Sequence, residues 1–160
     1  MDAIDSFDVA ILGALQRNAR ASSVAMAEEV HLSPSQVMRR LRRLEQMGVI
    51  RSYAALLDPA AIGLRVTAFT SVSLDVQTPE TTTEFRAAIG ALPAVLECYA
   101  TTGDADFLLK IVTRDLQAFS ELLMHRIMPL EHVRNVRSSI ALGEFKSSTE
   151  LDLSHLAGSS

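Results

Sequence analysis

The chain has a single cysteine and no long hydrophobic run among its 160 residues. One cysteine cannot form an intramolecular disulfide, so Cys98 indicates a reducing compartment, and we expect a cytoplasmic protein. For Cys98 itself, a buried and unreactive thiol is favoured over a reactive one. The apolar runs fall far short of the roughly 20 residues that span a bilayer. We therefore expect no membrane partner.

The sequence also lacks the residue patterns of secretion, metal binding and catalysis. Its acidic start, with Asp2, Asp5 and Asp8, has no basic region of the kind that opens a signal peptide. The histidines do not show the spacing of zinc ligands (His31, His125, His132, His155). No nucleophile and base stand together in a recognisable motif. We expect no metal, no cofactor and no enzymatic activity.

Positive charge is scarce overall but concentrated in one segment. The net charge of −4 alone argues against a nucleic-acid partner. Between Ser33 and Tyr53, however, five arginines stand against one acid, Glu45. From Ala61 to the end there are eight basic and twelve acidic residues. A basic segment in an acidic protein is typical of a nucleic-acid-binding surface.

The first fifty residues predict three helices. Asp5 is placed to cap the first, whose buried stripe is predicted from four-residue spacing to be Phe7, Ile11 and Leu15. Asn18-Ala19-Arg20 interrupts this pattern. The second helix starts at Ser22 or Ser23 and turns inward Met26, Ala27 and Val30. These helices leave a short turn before the basic segment.

The third helix begins with a strong start signal. Ser33 is a predicted N-cap, Pro34 suits the first helical position, and Gln36 completes a capping box. His31 precedes it where a left-handed residue is needed, so a structural role is favoured over titration. The third helix has an apolar side and a predicted C-terminal glycine: Val37, Leu41, Leu44 and Gly48.

The opposite side of the third helix is basic. At about 100° per residue, Ser35, Arg39, Arg42, Arg43 and Gln46 lie away from the apolar side, with Arg40 on the flank. Only Glu45 in the segment is available to pair with these arginines. This disfavours the interpretation that they are simply solvent-exposed residues without a binding role. Two short helices, a tight turn and a basic second helix predict a helix-turn-helix. The candidate DNA-binding residues are Ser33, Ser35, Gln36, Arg39, Arg40, Arg42 and Arg43. Gln36 has two open roles, capping and contact with adenine.

These residues resemble the Lrp/AsnC family, the leucine- and asparagine-responsive regulators of bacteria and archaea. The resemblance rests on an opening motif, a recognition segment and the stretch that follows, and it extends to about Lys146. The opening motif is Asp5, Asp8, Ile11-Leu12, Leu15-Gln16 and Asn18-Ala19-Arg20. The recognition segment is Leu32-Ser33-Pro34, Arg40 to Glu45 and Gly48-Val49-Ile50, followed by Tyr53 to Pro59. His31 replaces the glycine usual in the family's turn.

The second half alternates strands and helices in the order βαββαβ. A strand from Ile50 to Leu57 is predicted to precede it, ended by the proline and glycine of Asp58 to Gly63. Predicted strands run from Leu64 to Leu74, Val95 to Thr102, Phe107 to Val112 and Val133 to Leu142. The helix started by Thr78-Pro79 is expected to bury Phe85, Ala88, Ile89 and Leu92. The helix capped by Asp115 is expected to bury Leu116, Phe119, Leu122, Leu123 and Ile127.

The predicted fold is α+β, with a winged-helix-like N-terminal domain and a ferredoxin-like C-terminal domain. The predicted divisions are 1–52 for DNA binding, 53–63 for a strand and linker, 64–146 for assembly and effector binding, and 147–160 for a loosely ordered polar tail. A ferredoxin-like sheet leaves one face uncovered, predicted to carry Phe69, Val95 and Tyr99. We therefore expect at least a homodimer. The resemblance implies dimers that often assemble into octameric rings.

Gly103 to Phe107 matches a turn that in this family lies beside an amino-acid effector site between subunits. The resemblance implies an effector site formed by Tyr99, Thr101, Thr102, Gly103, Asp104 and Asp106. Carboxylates there can accept an ammonium group while backbone amides bind a carboxylate. An equally open interpretation is that both aspartates only shape the hairpin turn. Ala105 replaces the usual aromatic residue, which would widen the pocket.

Three functions account for these features to different degrees. The leading hypothesis is a sequence-specific transcriptional regulator whose DNA affinity or assembly responds to an amino acid. An enzyme using Asp104 and Asp106 as acids would leave the arginine helix unexplained. A chromatin-organising protein of low sequence specificity would share every motif, and comparing promoter DNA with random DNA separates it from the first.

Overall fold

The computed structural model describes residues 4–156, which fall into two compact units. Of the described residues, 4–55 and 146–156 form the first unit, and 56–145 form the second. Asp2 and the last four residues of the predicted tail lie outside the described residues. Among the helices that are described, none combines the length and apolar character needed to cross a membrane.

The first unit is built from three capped helices: α1 (Ser6–Arg17), α2 (Ser23–Val30) and α3 (Pro34–Gln46). Each begins where a side-chain oxygen accepts a hydrogen bond from a free amide of the first turn, at Asp5, Ser22 and Ser33. The predicted helices are confirmed, and the interruption at Asn18 is the C-cap of α1.

The core of the first unit agrees with the predicted helical faces except at the start of α1. Phe7 is 43% exposed, whereas the next residue, Asp8, is completely buried. The prediction of a buried Phe7 is therefore wrong. Asp8, three residues before Ile11, takes the inward position, and arginines of α3 bind its charge. The buried apolar residues are Ile11, Ala14, Leu15, Met26, Ala27, Val30, Val37 and Leu41.

A residue in the left-handed conformation follows each of the helices α2 and α3. His31 adopts φ 56° after α2, and Gly48 adopts φ 72° after α3, as predicted. The strand predicted from Ile50 to Leu57 is wrong, because within residues 4–156 this segment pairs with no other strand. Ile50 instead packs against the core of the first unit. A strand needs a neighbour for its backbone groups, which alternation of side chains cannot supply.

The second unit is a four-stranded antiparallel sheet with two helices. Its strands are β1 (Val66–Leu74), β2 (Val95–Ala100), β3 (Phe107–Thr113) and β4 (Val133–Ile140), in the order β2-β3-β1-β4. Its helices are α4 (Pro79–Gly90) and α5 (Leu116–Leu122), and α5 continues as a π-helical turn, Leu123–Ile127. The α+β class and the ferredoxin-like βαββαβ arrangement are confirmed.

One sheet face and the two helices enclose the second core. Central-strand residues Ala68, Val72, Leu109 and Ile111 pack with helix residues, and the rings of Phe85 and Phe107 lie 4.6 Å apart between centroids. The helix residues of this core are Phe85 and Ile89 from α4, and Phe119 and Ile127 from α5 and its π-helical turn. Leu116, predicted to be buried, is 57% exposed at the first position of α5.

Strand β2 lies at a sheet edge and departs from two predictions. Val95 pairs opposite Ile111 and packs against the covered core, so its predicted place on the open face is wrong. An irregularity between Val95 and Glu97 shifts the register and reverses the alternation. Cys98 is exposed rather than buried, because an edge strand has only one neighbour. Desolvation nevertheless raises the pKa of the Cys98 thiol, and the charge of Arg86 opposes this only in part.

The described part of the C-terminal tail contacts helix α1. The side chain of Gln16 accepts a hydrogen bond from the amide of Leu151 at 2.7 Å and donates one to its carbonyl at 3.1 Å. A short 3₁₀ helix, Ser154–Leu156, follows. The tail up to this point therefore belongs to the same unit as the three N-terminal helices.

Candidate functional site

The start of helix α3 is fixed by a reciprocal capping box. The Ser33 hydroxyl accepts a hydrogen bond from the Gln36 backbone amide at 3.3 Å, and the Gln36 side-chain oxygen Oε1 accepts one from the Ser33 backbone amide at 2.9 Å. These two bonds satisfy backbone amides that have no partner within the helix. The Gln36 side-chain oxygen is thus engaged, and its amide nitrogen points to no acceptor within residues 4–156.

The outer face of α3 carries an exposed polar set. Ser33, Ser35, Gln36, Arg39 and Arg42 are all exposed. Within residues 4–156, Arg39 and Arg42 form no ion pair. Unpaired guanidinium groups on one helical face keep their full donor capacity for phosphates or base edges.

Arg40 and Arg43 are held by acids of helix α1. Arg40 donates to Asp5 and Asp8, each at 2.8 Å, and Arg43 donates to the second oxygen of Asp8. The Arg40 guanidinium also lies 5.4 Å from the centre of the Phe7 ring. The premise that only Glu45 could pair with the arginines is therefore wrong.

The pKa of Asp5 is affected by its contact with Arg40. Burial by itself would raise the pKa of Asp5, but the Asp8 amide and the Arg40 guanidinium outweigh it and lower that pKa. Hydrogen bonds to Asp8 and then Asp5 raise the pKa of Arg40. Each partner of the Asp5–Arg40 pair thus favours the charged form of the other.

Glu45 has a different partner, Tyr53. The Tyr53 hydroxyl donates to a Glu45 carboxylate oxygen at 2.7 Å, which links the segment after α3 to its last turn. Burial, followed by this hydrogen bond and the carboxylate charge, raises the pKa of Tyr53 to about 12. Tyr53 remains a neutral donor across the physiological range.

The turn between β2 and β3 is closed by its own backbone. The Thr101 amide donates to the Asp106 carbonyl at 2.9 Å, and the Thr101 hydroxyl donates to the Ala105 carbonyl at 2.7 Å. Gly103 has φ 117°, a conformation that side chains rarely adopt. The structure thus brings Thr101, Thr102, Gly103 and Asp104 together on an exposed turn.

The two aspartates of this turn have unequal surroundings. Asp106 accepts a hydrogen bond from the Leu74 amide at 2.7 Å and another from the Gln77 side chain, so it ties the turn to the end of β1. The Asp104 carboxylate is exposed and makes no bond within the described chain, although its carbonyl accepts from Ser73 at 3.3 Å. Asp104 is the acid with free acceptor capacity.

Tyr99 lies at the end of β2, near this turn. Its hydroxyl donates to Glu97 at 2.6 Å, and Glu97 pairs with Lys110 at 3.2 Å. The Tyr99 hydrogen bond, opposed by burial and aided by Lys110, lowers the pKa of Glu97. Tyr99 is 54% exposed and Phe69, also outside the covered core, is 43% exposed. The open sheet face therefore presents aromatic surface beside a charged pair.

Asp8 is the main residue that the sequence interpretation missed. Its signal was present, because an acid three residues after an N-cap acid is a capping-box pattern, and that box is observed between Asp5 and Asp8. Its burial against Arg40 and Arg43 could not be inferred without the packing of α1 on α3. In residues 4–156 no group of three or more histidine, cysteine or acidic side chains is arranged to hold a metal ion.

Profiles of two protein families match the two units. Residues 4–45 match the AsnC-type helix-turn-helix domain, and residues 67–151 match the Lrp/AsnC ligand binding domain. The matched ranges contain the basic face of α3 and the turn after β2, respectively.

Relatives with similar sequences and structures agree with these profiles. A leucine-responsive regulatory protein of Haemophilus influenzae is 35% identical over 94% of this chain and 91% of its own length. The crystal structure of a transcriptional regulator from Neisseria meningitidis in complex with L-methionine is 39% identical, with a TM-score of 0.91 over 96% of this chain and 99% of that one. A feast or famine regulatory protein from M. tuberculosis, complexed with L-methionine, is 30% identical, with a TM-score of 0.85 over 93% and 99%. None of the three is described as a chromatin-organising protein, so that alternative has no support.

Proposed function

Because this chain belongs to the Lrp/AsnC family of DNA-binding transcriptional regulators, we propose that the exposed face of α3 reads operator DNA. The observation that carries this proposal is the pair of exposed, unpaired arginines, Arg39 and Arg42, on a helix stabilised at its start. Recognition helices of this class enter the major groove with their N-terminal residues toward base edges. Ser33, Ser35 and Gln36 occupy that end.

Each candidate has a role that follows from its geometry. Arg39 and Arg42 can donate to guanine O6 and N7 or to phosphates. The Gln36 amide nitrogen can donate while its oxygen remains in the capping box. The hydroxyl of Ser35 and the amides at the start of the helix suit a phosphate, since the helix N-terminus carries partial positive charge.

The test is equilibrium binding to the DNA upstream of the protein's own coding sequence and to a scrambled fragment of equal length. Arg39→Ala or Arg42→Ala should cost about 1–3 kcal/mol on the upstream fragment if the residue contacts a base. A phosphate contact would weaken both fragments and lower the salt slope by about one. Arg20→Ala, an exposed arginine outside α3, is the matched control and should bind like the parent. Unchanged binding by an Arg39/Arg42 double alanine variant would refute the assignment.

The second unit would bind a small amino acid at the turn after β2. Asp104 supplies a free carboxylate for an ammonium group, and the exposed backbone near Thr102 and Gly103 can approach the ligand's carboxylate. Asp106 shapes this turn through Leu74 and Gln77, and Tyr99 and Thr101 border it. Because the turn is exposed on a single chain, a second subunit would enclose the ligand, and binding would then favour one assembly over another. Ala105, small at the usual aromatic position, favours a bulky or apolar side chain.

Calorimetric titration with the twenty amino acids tests this site. Asp104→Ala should abolish the binding seen with the parent, while Glu84→Ala, at an exposed acid on α4, serves as the control. Asp106→Ala should weaken binding and also destabilise the second unit. Absence of binding by the parent, or full binding by Asp104→Ala, would exclude the turn as the effector site.

The protein would act as a homo-oligomer, a dimer or an assembly of dimers up to an octamer. The sheet face opposite α4 and α5 carries exposed Phe69 and Tyr99, a surface suited to a second copy. DNA as partner and an unpaired Cys98 are consistent with action in the cytoplasm. We propose no catalytic role, since the family consists of transcriptional regulators.

A further inference from the structure

Asp8 is a buried acid beneath a DNA-binding helix. Its side chain is completely inaccessible, yet it accepts from two arginines and from the Asp5 amide at 3.1 Å. All three donors come from the start of α1 or from α3. No buried side-chain polar atom in residues 4–156 lacks a partner, so the network around Asp8 is complete.

The consequence for α3 is a division of its four arginines. The side chains of Arg40 and Arg43 are 21% and 33% exposed and point to helix α1. Arg39 and Arg42 occupy the adjacent strip of the helix and are exposed. Positions 40 and 43 lie three residues apart, so both fall on one flank and meet the same carboxylate.

We propose that Asp8 is a positioning residue that determines which arginines of α3 reach DNA. By binding Arg40 and Arg43 it withholds two flexible cations from non-specific phosphate contacts and fixes the rotation of α3 against α1. Arg39 and Arg42 then face the groove in one orientation. The proposal rests on the proposed function of α3 and adds to it the restriction of non-specific affinity.

The electrostatic argument favours this role over simple stabilisation of the core. Non-specific affinity for DNA rises with each cation that displaces a counterion, by about 0.9 in the salt slope per phosphate contact. Four free arginines would therefore increase binding to any sequence. Specificity is the difference between operator and random DNA, so removal of two cations that carry no base information increases it.

The test is the salt dependence of binding to the upstream fragment and to the scrambled fragment. Asp8→Asn keeps the size of the side chain and an oxygen for the Asp5 amide, but it removes the charge that holds Arg43 and leaves Arg40 paired with Asp5 alone. We expect tighter binding to the scrambled fragment, a salt slope steeper by about one, and a smaller ratio of specific to non-specific affinity. The control is Glu29→Gln, which removes the same charge from α2, where Glu29 pairs with Arg17 of α1. This variant should leave the salt slope unchanged. An unchanged slope and ratio in folded Asp8→Asn would overturn the proposal.

A second pair of variants decides the matter if Asp8→Asn does not fold. Arg42→Gln should weaken binding to the upstream fragment and, if it contacts phosphate, lower the salt slope by about one, whereas Arg43→Gln should leave both affinity and slope at the parent values. If both variants reduced affinity and salt slope equally, Arg43 would reach DNA as Arg42 does. That result would contradict the proposal that Asp8 withholds Arg43 from DNA. If neither variant nor Arg39→Gln changes binding, α3 does not bind DNA and the proposed function itself fails.

Discussion

At the scale of single residues, the ionisable side chains of α3 have two separate sets of partners. Asp5 and Asp8 bind Arg40 and Arg43, while Glu45 binds Tyr53. Counting charges along the sequence identified only Glu45 as available to pair with the arginines. Packing of α1 on α3 brings together acids and bases more than thirty residues apart, and no local pattern contains that information.

Tyr53 should titrate well above the ordinary tyrosine value. Its pKa is raised from 10.0 to about 12, so its contribution to stability is complete below pH 10 and is lost as the pH rises through about 12. The chain has only two tyrosines, so Tyr99→Phe leaves Tyr53 as the sole source of tyrosinate absorbance. Titration of that variant should show the raised midpoint, and Glu45→Gln should lower it. An ordinary midpoint in both proteins would disprove the Glu45 contact.

Asp5 should make the stability of the protein depend on pH in the opposite direction, at the acidic end of the range. Its pKa is lowered, so the stability it contributes is present above the unfolded value of 3.8 and is lost as the pH falls through the folded value. Asp5→Asn retains a good N-cap but removes this titration. Denaturant unfolding between about pH 5 and about pH 3 should therefore show a smaller loss of stability for the variant than for the parent. Equal losses would show that the Arg40 pair does not contribute.

At the scale of helices and strands, elements defined by local signals were predictable and those defined by neighbours were not. The caps at Ser33 and Thr78 were read correctly because capping requires only adjacent residues. The strand from Ile50 was predicted wrongly because the alternation of side chains along a segment does not show whether a neighbouring strand is there to pair with it. Val95 was assigned to the wrong sheet face because the irregularity before Glu97 reverses the alternation.

His31, in the turn before α3, and Gly48, just after the end of α3, offer a matched test of backbone strain. His31 has φ 56° and Gly48 has φ 72°, and nothing lies within 4 Å of where a Cβ would stand at Gly48. His31→Gly should therefore stabilise the protein by about 0.5 kcal/mol, relief of strain being offset in part by the entropy of glycine. Gly48→Ala should destabilise it by about 1 kcal/mol through conformation alone. Chemical denaturation of both variants checks the pair, and a loss of stability in His31→Gly would mean that the imidazole makes a stabilising contact.

At the scale of the whole molecule, a ferredoxin-like unit with one open sheet face is joined to a helix-turn-helix unit that includes part of the C-terminal tail. The fold class and family were accessible from the sequence because several motifs coincide over most of the chain. The tail contact between Gln16 and Leu151 was not, because residues 147–160 contain no periodic pattern.

If the chain assembles through the open sheet face, a charge placed on that face should lower the mass of the oligomer. Phe69→Glu places a charge in the middle of that face and should shift the full chain toward monomers in sedimentation equilibrium. Leu116→Glu introduces the same charge at an exposed leucine on α5 and should leave the mass unchanged. An oligomer of unaltered mass in Phe69→Glu would place the interface elsewhere.

The most direct test of the central claim is footprinting of the protein on the DNA upstream of its own coding sequence, with and without pooled amino acids. A two-fold assembly of recognition helices should protect related half-sites separated by one or more helical turns, about 10–10.5 base pairs each. Amino acids should change the extent or spacing of protection, and Arg39/Arg42 alanine variants should abolish it. Uniform protection of upstream and random DNA, or none at either, would contradict a sequence-specific regulator.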